Sequence, residues 1–176
     1  QHQRSNLTLT VYELVCLGRS PHKKWWELDL DGNDHSKVER SIELTDMTAL
    51  KNKPIYTLSG GQRQRAFLSL ALAQDAKTLL LDEPTTFLDL RYQLQFLDLL
   101  KRLNQDQELS IITVIHDVNL AARFCDRIAV LKEGELLAID SPRKVLNNEL
   151  MKKAFQVETC QIETPVGLQI CTIKSD

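Results

Sequence analysis

The sequence has few glycines, six among 176 residues, and none of the six is followed by lysine. A P-loop, the glycine-rich loop that cradles nucleotide phosphates, requires the pattern G-x-x-x-x-G-K-[ST]. The printed sequence therefore contains no P-loop. Two of its glycines nevertheless stand side by side in "LSGGQRQR" (58–65). Adjacent glycines cost backbone entropy, which predicts that some group approaches this backbone closely.

Long apolar runs, excess charge and paired cysteines are also missing. No run approaches the roughly 20 residues of a membrane-spanning helix, and "QHQRSNLTLT" lacks the apolar core of a signal peptide. The net charge of −2 gives no general attraction to nucleic acid. The four cysteines show no CxxC or Cys/His spacing, which predicts free, buried thiols in a reducing compartment.

The first third of the chain carries helix signals. Capping boxes, in which Ser or Thr precedes Glu or Gln by three residues, predict helix starts at Thr10, Ser36 and Ser59. The first of these helices is expected to end at Gly18. The second is expected to bury one face, formed by Val38, Ile42 and Thr45.

Strand signals dominate the remainder. "TLLLDE" (78–83) and "SIITVIHD" (110–117) are continuous apolar runs, typical of parallel strands buried on both faces. A leucine stripe between them predicts a helix and consists of Leu90, Leu94, Leu97 and Leu100. Ser141-Pro142 predicts another helix, which runs to about Phe155. "RIAVLKEGELLAID" (127–140) and "VETCQIETPVGLQICTIK" (157–174) read as hairpins that turn at Gly134 and near 165–167. The alternation predicts an α/β fold.

Reactive side chains follow both apolar runs. Asp82 and Glu83 end the first run and His116 ends the second, and ligands of open α/β sheets bind beyond the carboxyl ends of the strands. Pro84 is expected to bias Glu83 towards an extended backbone. One carboxylate could hold hydrated Mg²⁺ and the other could orient an attacking water.

The motifs in this order resemble the ATP-binding subunits of ABC transporters over essentially the whole chain. "LSGGQ" (58–62) is similar to the signature motif and "TLLLDEP" (78–84) to the Walker B strand. "TTFLD" (85–89) is similar to the D-loop, and His116 in "VIHD" to the switch histidine. Gln1 stands where that family has its Q-loop glutamine, with Gln3 as the alternative.

The resemblance implies a role for each matching residue. Glu83 would polarise the hydrolytic water, and His116 would contact the γ-phosphate. Asp82 and Gln1 would bind Mg²⁺, and Asp89 would communicate across a dimer. The γ-phosphate held by the opposite subunit would bind the signature residues Ser59, Gly60, Gly61 and Gln62.

The fold implied is a partial P-loop NTPase (ABC ATPase) fold, in which a helical subdomain precedes a mostly parallel sheet with flanking helices and a C-terminal hairpin. Its predicted divisions are residues 1–57 (Q-loop and helical subdomain), 58–155 (core remainder) and 156–176 (hairpin). Because the P-loop precedes the Q-loop in this family, the chain is expected to be a fragment that is inactive alone.

A finer resemblance, carried by "TVYELVCLGRSPH" (10–22) and "HDVNLAARFCDRIAVLKEGELLAID" (116–140), is to importers of iron chelates, haem or cobalamin. It implies ATP and Mg²⁺ as cofactors and iron-siderophore uptake as the function. The implied partners are a second ATP-binding subunit, transmembrane permease subunits and, indirectly, a substrate-binding protein, with no nucleic acid. The implied location is the cytoplasmic face of the inner membrane, as a peripheral subunit.

Two other functions remain open at this stage. An ABC-type ATPase of DNA repair or chromosome maintenance also pairs a signature motif with Walker B, although long coiled coils precede that half and this chain has no heptads. A non-catalytic assembly module is the second alternative, and an exporter is disfavoured because no membrane span is fused to the chain.

Overall fold

The computed structural model describes residues 9–23 and 29–175 and divides into two compact units, residues 1–113 and 114–176. Gln1 and Gln3 lie outside the described residues. The regular elements of the first unit are α1 (Val11–Cys16), α2 (Gly32–Leu44), α3 (Gly60–Ala73), β1 (Thr78–Leu81), α4 (Leu90–Gln107) and β2 (Ser110–Thr113), with 3₁₀ turns at Leu17–His22, Thr48–Leu50 and Ile55–Thr57. Within the described ranges, no helix is both long and apolar enough to cross a bilayer.

Helices α1, α2 and α3 enclose the apolar core of the first unit. The buried residues that form it are Val11, Leu14, Val15, Val38, Ile42, Met47, Leu58, Ala66 and Ala73. The predicted capping box of α1 is confirmed, since the Thr10 hydroxyl accepts the Glu13 amide and the Glu13 carboxylate accepts the Thr10 amide. The expected buried face of α2 is confirmed as well.

The predicted start of α2 at Ser36 is wrong. The helix begins at Gly32, because the Asp31 carboxylate accepts the Asp34 amide at 2.8 Å and the Asp34 carboxylate accepts the Asp31 amide at 3.2 Å. Ser36 lies inside the helix, where its hydroxyl donates to the Gly32 carbonyl. An aspartate is as good an N-cap as serine, so the earlier residue starts the helix.

Gly18, the predicted end of α1, lies two residues beyond the last residue of that helix, Cys16. It is buried within the 3₁₀ turn that follows α1, and a Cβ at this position would lie 2.4 Å from the Leu70 carbonyl oxygen of α3. The turn therefore approaches the α3 backbone too closely for any side chain, and Gly18 is needed for packing.

A buried ion cluster ties this turn to α2 and α3. The Arg19 guanidinium donates to Asp34 at 2.9 Å and to the Ala73 carbonyl at 2.7 Å. Lys23 contacts the other Asp34 oxygen at 2.5 Å. Lys23 and Arg19 hold the pKa of the Asp34 carboxyl well below its usual range. The cluster matches each buried charge with partners, as burial requires.

Strands β1 and β2 pair in parallel, with Leu79 opposite Ile111 and Leu80 opposite Ile112. The parallel pairing confirms the sequence prediction. The prediction that both faces of these strands are buried is wrong. Leu79 is buried, whereas Leu80 and Ile112 are 72% and 62% exposed. No described element of the first unit covers this second face, so its apolar side chains remain open.

Helix α4 confirms most of the predicted stripe, since Leu97 and Leu100 are buried and Leu94 is half-buried. The buried residues are Phe96, Leu97, Leu99, Leu100 and Leu103. Leu90, the first residue of the predicted stripe, is 68% exposed. The buried face is therefore centred further along the helix, on Phe96 and the leucines after it.

The second unit combines two hairpins with short helices. Its elements are α5 (Val118–Phe124), β3 (Ile128–Lys132), β4 (Glu135–Asp140), α6 (Pro142–Val145), α7 (Asn148–Phe155), β5 (Val157–Thr164) and β6 (Gly167–Ser175). Both predicted hairpins are confirmed, with Gly134 and Gly167 at positive φ in their turns. The predicted single helix to Phe155 is wrong, because the chain breaks after Val145 and Asn147 caps a new helix.

The core of this unit lies under both hairpins and consists of Val130, Val145, Leu146, Met151, Leu168 and Ile170. The prediction of free thiols holds for all four cysteines, but the prediction that they are buried does not. Cys16 and Cys125 are half-buried, and burial raises the pKa of both thiols. Cys160 and Cys171 are exposed on the C-terminal hairpin.

Candidate functional site

The "LSGGQ" stretch forms the N-terminus of α3. Ser59 is the N-cap, and its hydroxyl accepts the Gln62 amide at 3.3 Å while the Gln62 side-chain carbonyl accepts the Ser59 amide at 3.0 Å. The predicted capping box is therefore confirmed. Gly60 and Gly61 occupy the first turn, where helix N–H groups point out of the helix and the helix dipole favours anions.

The two glycines are needed for different reasons. A Cβ on Gly61 would lie 3.2 Å from Cδ1 of Tyr92, so this glycine admits an aromatic ring of the same chain. A Cβ on Gly60 would meet only the Leu88 side chain, at the ordinary contact distance of 3.8 Å. Packing within the described chain thus explains Gly61 but not Gly60, and the space beside Gly60 suits a group from outside.

The structure brings the signature stretch next to the D-loop stretch. Leu88 and Tyr92, which lie beside the two glycines, flank Asp89, the N-cap of α4. The Asp89 carboxylate accepts the Tyr92 amide at 3.1 Å. Two helix N-termini, those of α3 and α4, therefore lie side by side. Phe87, at the tip of the loop before α4, is 96% exposed.

The acidic pair follows β1, outside the strand itself. Both Asp82 and Glu83 are exposed. The Thr86 hydroxyl donates to the Glu83 carboxylate at 3.0 Å, and the Thr86 amide donates to the Glu83 carbonyl at 3.3 Å. This turn fixes the direction of the Glu83 side chain.

The expectation of an extended backbone at Glu83 is wrong. Its φ is +45°, in the left-handed region, although proline at the next position favours extended geometry. The turn closed by Thr86 overrides that local preference. A non-glycine residue in this region costs of order 1–3 kcal/mol, and such strain is concentrated at functional sites.

The arginines after the signature stretch are engaged within the chain. Arg65 donates to the Asp46 carboxylate at 2.9 Å, and Arg102 of α4 reaches the same carboxylate at 3.2 Å. Arg63 donates to the Leu58 carbonyl at 3.5 Å. These contacts connect α3 to its neighbours, so the arginines position the helix.

His116 lies in the second unit, in the bend after β2, and the next residue, Asp117, caps α5 by accepting the Asn119 and Leu120 amides. The roles of His116, Gln1 and the other site residues remain predictions.

Sequence reasoning missed Tyr92, Thr86 and Asp46. Tyr92 and Asp46 act through contacts with residues far away in sequence, which no local pattern marks. Thr86 is only three residues from Glu83, but the preference for extended backbone before Pro84 pointed to a different geometry.

Comparisons with known proteins all point to one family. Residues 1–86 match the ABC transporter family. The chain is 40% identical over 165 residues to the petrobactin import ATP-binding protein FpuD of Bacillus anthracis, a match that covers 93% of this chain and 60% of that protein. It is 43% identical over 157 residues to the iron(3+)-hydroxamate import ATP-binding protein FhuC of Bacillus subtilis, covering 89% of this chain and 58% of that protein.

Among solved structures, the chain superposes on a metal-chelate type ABC transporter in an inward-facing conformation with a TM-score of 0.84 and 26% identity, covering 96% of this chain and 67% of that chain. The predicted fold class is thereby confirmed: the architecture is that of an ABC ATPase. The chain is thus similar in sequence and in fold to members of the ABC transporter family. It spans 60% and 58% of the lengths of the two import relatives.

Proposed function

We propose that this chain is part of the ATP-hydrolysing subunit of an importer of iron chelates. The observation that carries the proposal is that the N-termini of α3 and α4, at the signature and D-loop stretches, lie side by side. The acidic pair Asp82 and Glu83, which follows β1, belongs to the same unit. The import relatives supply the class of cargo, since one of them is named for iron(3+)-hydroxamate.

The signature end of α3 would bind the γ-phosphate of a nucleotide held by another subunit. The amides of Gly60 and Gly61 lie in the first turn, where a helix attracts phosphate. Ser59 and Gln62 hold that turn in place through the capping box. The space beside Gly60 fits such a ligand, because a Cβ there would meet only Leu88 of this chain.

The turn after β1 would supply the base. The Thr86 hydroxyl donates to the Glu83 carboxylate and orients it, and this carboxylate would accept a proton from the attacking water. Asp82 is an exposed carboxylate at the adjacent position and fits Mg²⁺, which is held in proteins by one or two carboxylates together with waters and phosphates. When bound, Mg²⁺ would neutralise charge on the phosphates. Gln1 would be a further ligand, and His116 would contact the γ-phosphate.

A second ATP-binding subunit is the first proposed partner. The signature end of α3 would contact a nucleotide that another subunit holds, because this sequence contains no P-loop of its own. Phe87, which lies beside the signature end, is almost fully exposed. Aromatic side chains are enriched in protein–protein interfaces. Asp89, next to this tip, would communicate across the dimer.

The remaining partners follow from the proposed import function. Residues 1–57 would form the subdomain that docks on transmembrane permease subunits, with the protein bound peripherally at the cytoplasmic face of the inner membrane. A substrate-binding protein would deliver the chelate to the permease. Residues 58–155 would form the rest of the ATPase core, and residues 156–176 the C-terminal hairpin.

A chimera tests the proposal. We would join the P-loop-bearing segment of the Bacillus subtilis relative ahead of Gln1 and measure Mg²⁺-dependent ATP turnover. Turnover should appear in the chimera, and Glu83→Gln should reduce it by at least about 100-fold, the lower range of general base catalysis. Glu108→Gln, an equally conservative change at the exposed end of α4, should leave turnover unchanged.

Cargo is tested separately in Bacillus subtilis cells that lack FhuC. Uptake of iron(3+)-hydroxamate restored by the chimera and lost with Glu83→Gln would support the import function. Turnover without uptake would contradict the cargo assignment while leaving the ATPase assignment intact. Equal turnover by Glu83→Gln and the parent chimera would refute the role given to Glu83.

A further inference from the structure

The C-terminal hairpin places two cysteines directly opposite each other. Cys160 of β5 pairs with Cys171 of β6 in the antiparallel register. Directly opposed residues in such a pair project their side chains to the same face. Both thiols are free and exposed, so they share the outer face of the hairpin.

The register is regular from the turn through this pair to Thr159, and it shifts only between Glu158 and Thr159. The hairpin turns through two residues between Thr164 and Gly167, and loop length sets the register of a hairpin. The Thr159 amide donates to Asn148 at 2.7 Å. The inner face is anchored by buried Thr159, Leu168 and Ile170. A slip by one residue would move these side chains to the outer face, so the cysteines stay opposed.

The backbone contacts of Ile170 define the spacing of the cysteine pair. Its amide donates to the Asn119 side chain at 2.7 Å, and its carbonyl accepts from the same side chain at 3.2 Å. Both groups of Ile170 therefore point away from β5, and those of the next residue, Cys171, point towards it. Opposite residues of this hydrogen-bonded type have Cα atoms roughly 5.5 Å apart, within the Cα separations of about 4.4–6.8 Å that disulfides bridge.

We propose that Cys160 and Cys171 form a dithiol site on which peroxide closes a reversible cross-strand disulfide. One thiolate attacks hydrogen peroxide, the O–O bond breaks, and a sulfenic acid forms as hydroxide leaves and takes a proton to become water. The second thiol then attacks the sulfenic sulfur, the S–S bond forms, and a second water leaves. Two thiols lose two electrons and two protons, and one peroxide becomes two waters. An exposed disulfide of this kind is readily reduced by thiol exchange.

The other two cysteines provide an internal control. Cys16 and Cys125 are half-buried, and desolvation by burial raises the pKa of both thiols, which lowers their thiolate content. Cys16 lies in the first unit, and Cys125 lies beyond the end of α5 rather than on the hairpin. We therefore expect oxidation to be confined to the opposed pair.

The test treats the reduced chain with hydrogen peroxide and then alkylates the remaining thiols with N-ethylmaleimide for intact and peptide mass analysis. Two of the four thiols should disappear, with a peptide linked through Cys160 and Cys171 and a mass lower by two hydrogen atoms. Dithiothreitol should restore all four thiols. Dilution of the chain should not slow the reaction, because the second step is intramolecular.

Variants extend the test. Cys160→Ser and Cys171→Ser should each abolish the disulfide, whereas Cys125→Ser should retain it, with circular dichroism confirming that each variant folds. The proposal is overturned if the wild-type chain gives independent sulfinic acids at 160 and 171, if it gives disulfides only between chains, or if its disulfide involves Cys16 or Cys125. The wild-type peptide map decides between these outcomes even if a serine variant fails to fold.

Discussion

The helical region formed by α1–α3 and the strand pair β1–β2 belong to the same compact unit, yet only the helical region encloses its apolar side chains. Ile42 of α2 is completely buried, whereas Leu80 of β1 is 72% exposed. Stability is therefore expected to be concentrated in the helical region. The acidic pair of the candidate site lies on the other, more open region, consistent with the uneven distribution of stability in many proteins.

The two regions also differ in how they hold polar groups. In the helical region, Arg19, Lys23 and Asp34 form a buried cluster in which each charge has a partner. After β1, Asp82 and Glu83 are exposed, and the Glu83 backbone is strained at φ +45°. A region that is held open to solvent and to other chains can present such groups for binding, which a closed core cannot do.

The largest expected effect is a truncation in the helical core. Ile42→Ala should lower the free energy of unfolding by about 2–5 kcal/mol, because it removes buried methyl groups and leaves a cavity. Leu80→Ala, a truncation of the same kind on the open face, should change it by less than about 0.5 kcal/mol. Urea unfolding followed by circular dichroism measures both. Equal losses of unfolding free energy in the two variants would show that the face bearing Leu80 is covered in solution. If the unfolding free energy also depended on protein concentration, the covering group would be a second copy of the chain.

Gly18→Ala should give the next largest effect. The added Cβ would lie 2.4 Å from the Leu70 carbonyl oxygen, so the turn must move away from α3, and overpacking of this kind costs about 1–3 kcal/mol. Gly32→Ala is the matched control, since a Cβ there meets nothing within 4 Å. Thermal unfolding should show a lower Tm for Gly18→Ala only. A wild-type Tm in Gly18→Ala would contradict the close approach.

The buried cluster predicts a pH dependence. Because the pKa of Asp34 is lowered in the folded chain, its contribution to stability is complete above the unfolded pKa of about 3.9 and is lost as the pH falls towards the folded pKa. Asp34→Asn should therefore flatten the dependence of unfolding free energy on pH below about pH 4.

Asp75→Asn is the control for this measurement. Lys37 lowers the pKa of Asp75 as well, but that ion pair is partly exposed and contributes little. The pH dependence of the unfolding free energy should flatten less in Asp75→Asn than in Asp34→Asn. A pH profile of Asp34→Asn that parallels the wild type would show that the cluster does not contribute to acid stability.

The smallest expected effect separates the two signature glycines. Gly61→Ala should cost up to about 1 kcal/mol, because the Tyr92 ring must move by a few tenths of an ångström. Gly60→Ala should be neutral in stability, since the site has room for the methyl group. In the ATPase chimera, Gly60→Ala should still reduce turnover. Full turnover with an unchanged Tm would indicate that nothing approaches Gly60 from outside.

Local signals in the sequence predicted some elements well and others poorly. The capping boxes at Thr10 and Ser59 form as predicted because both partners lie within one turn. The box at Ser36 fails because Asp31 offers an earlier cap. The preference for extended backbone before Pro84 fails at Glu83 because the hydrogen bonds from Thr86 favour a different turn. Each failure is a local preference that a competing contact outweighs.

The candidate site was predictable in its residues but not in its arrangement. The order of "LSGGQ", "LLLDEP" and "TTFLD" indicates the family without any coordinates. The contacts of Gly61 with Tyr92 and of Asp46 with both Arg65 and Arg102 depend on side chains that are far apart in sequence. No local pattern encodes which of several tyrosines or aspartates will fill these positions.

The motifs, the caps at Thr10 and Ser59 and the two hairpin turns follow from the amino-acid sequence alone, because they depend on chemistry within a few neighbouring residues. The packing roles of Gly18 and Gly61, the open space at Gly60, the uncovered face of β1–β2 and the opposition of Cys160 and Cys171 emerge only in the folded chain. These outcomes depend on which distant surfaces meet. Steric exclusion and burial act between surfaces that meet only in the folded chain, so the residues next to a position in the sequence do not predict its packing.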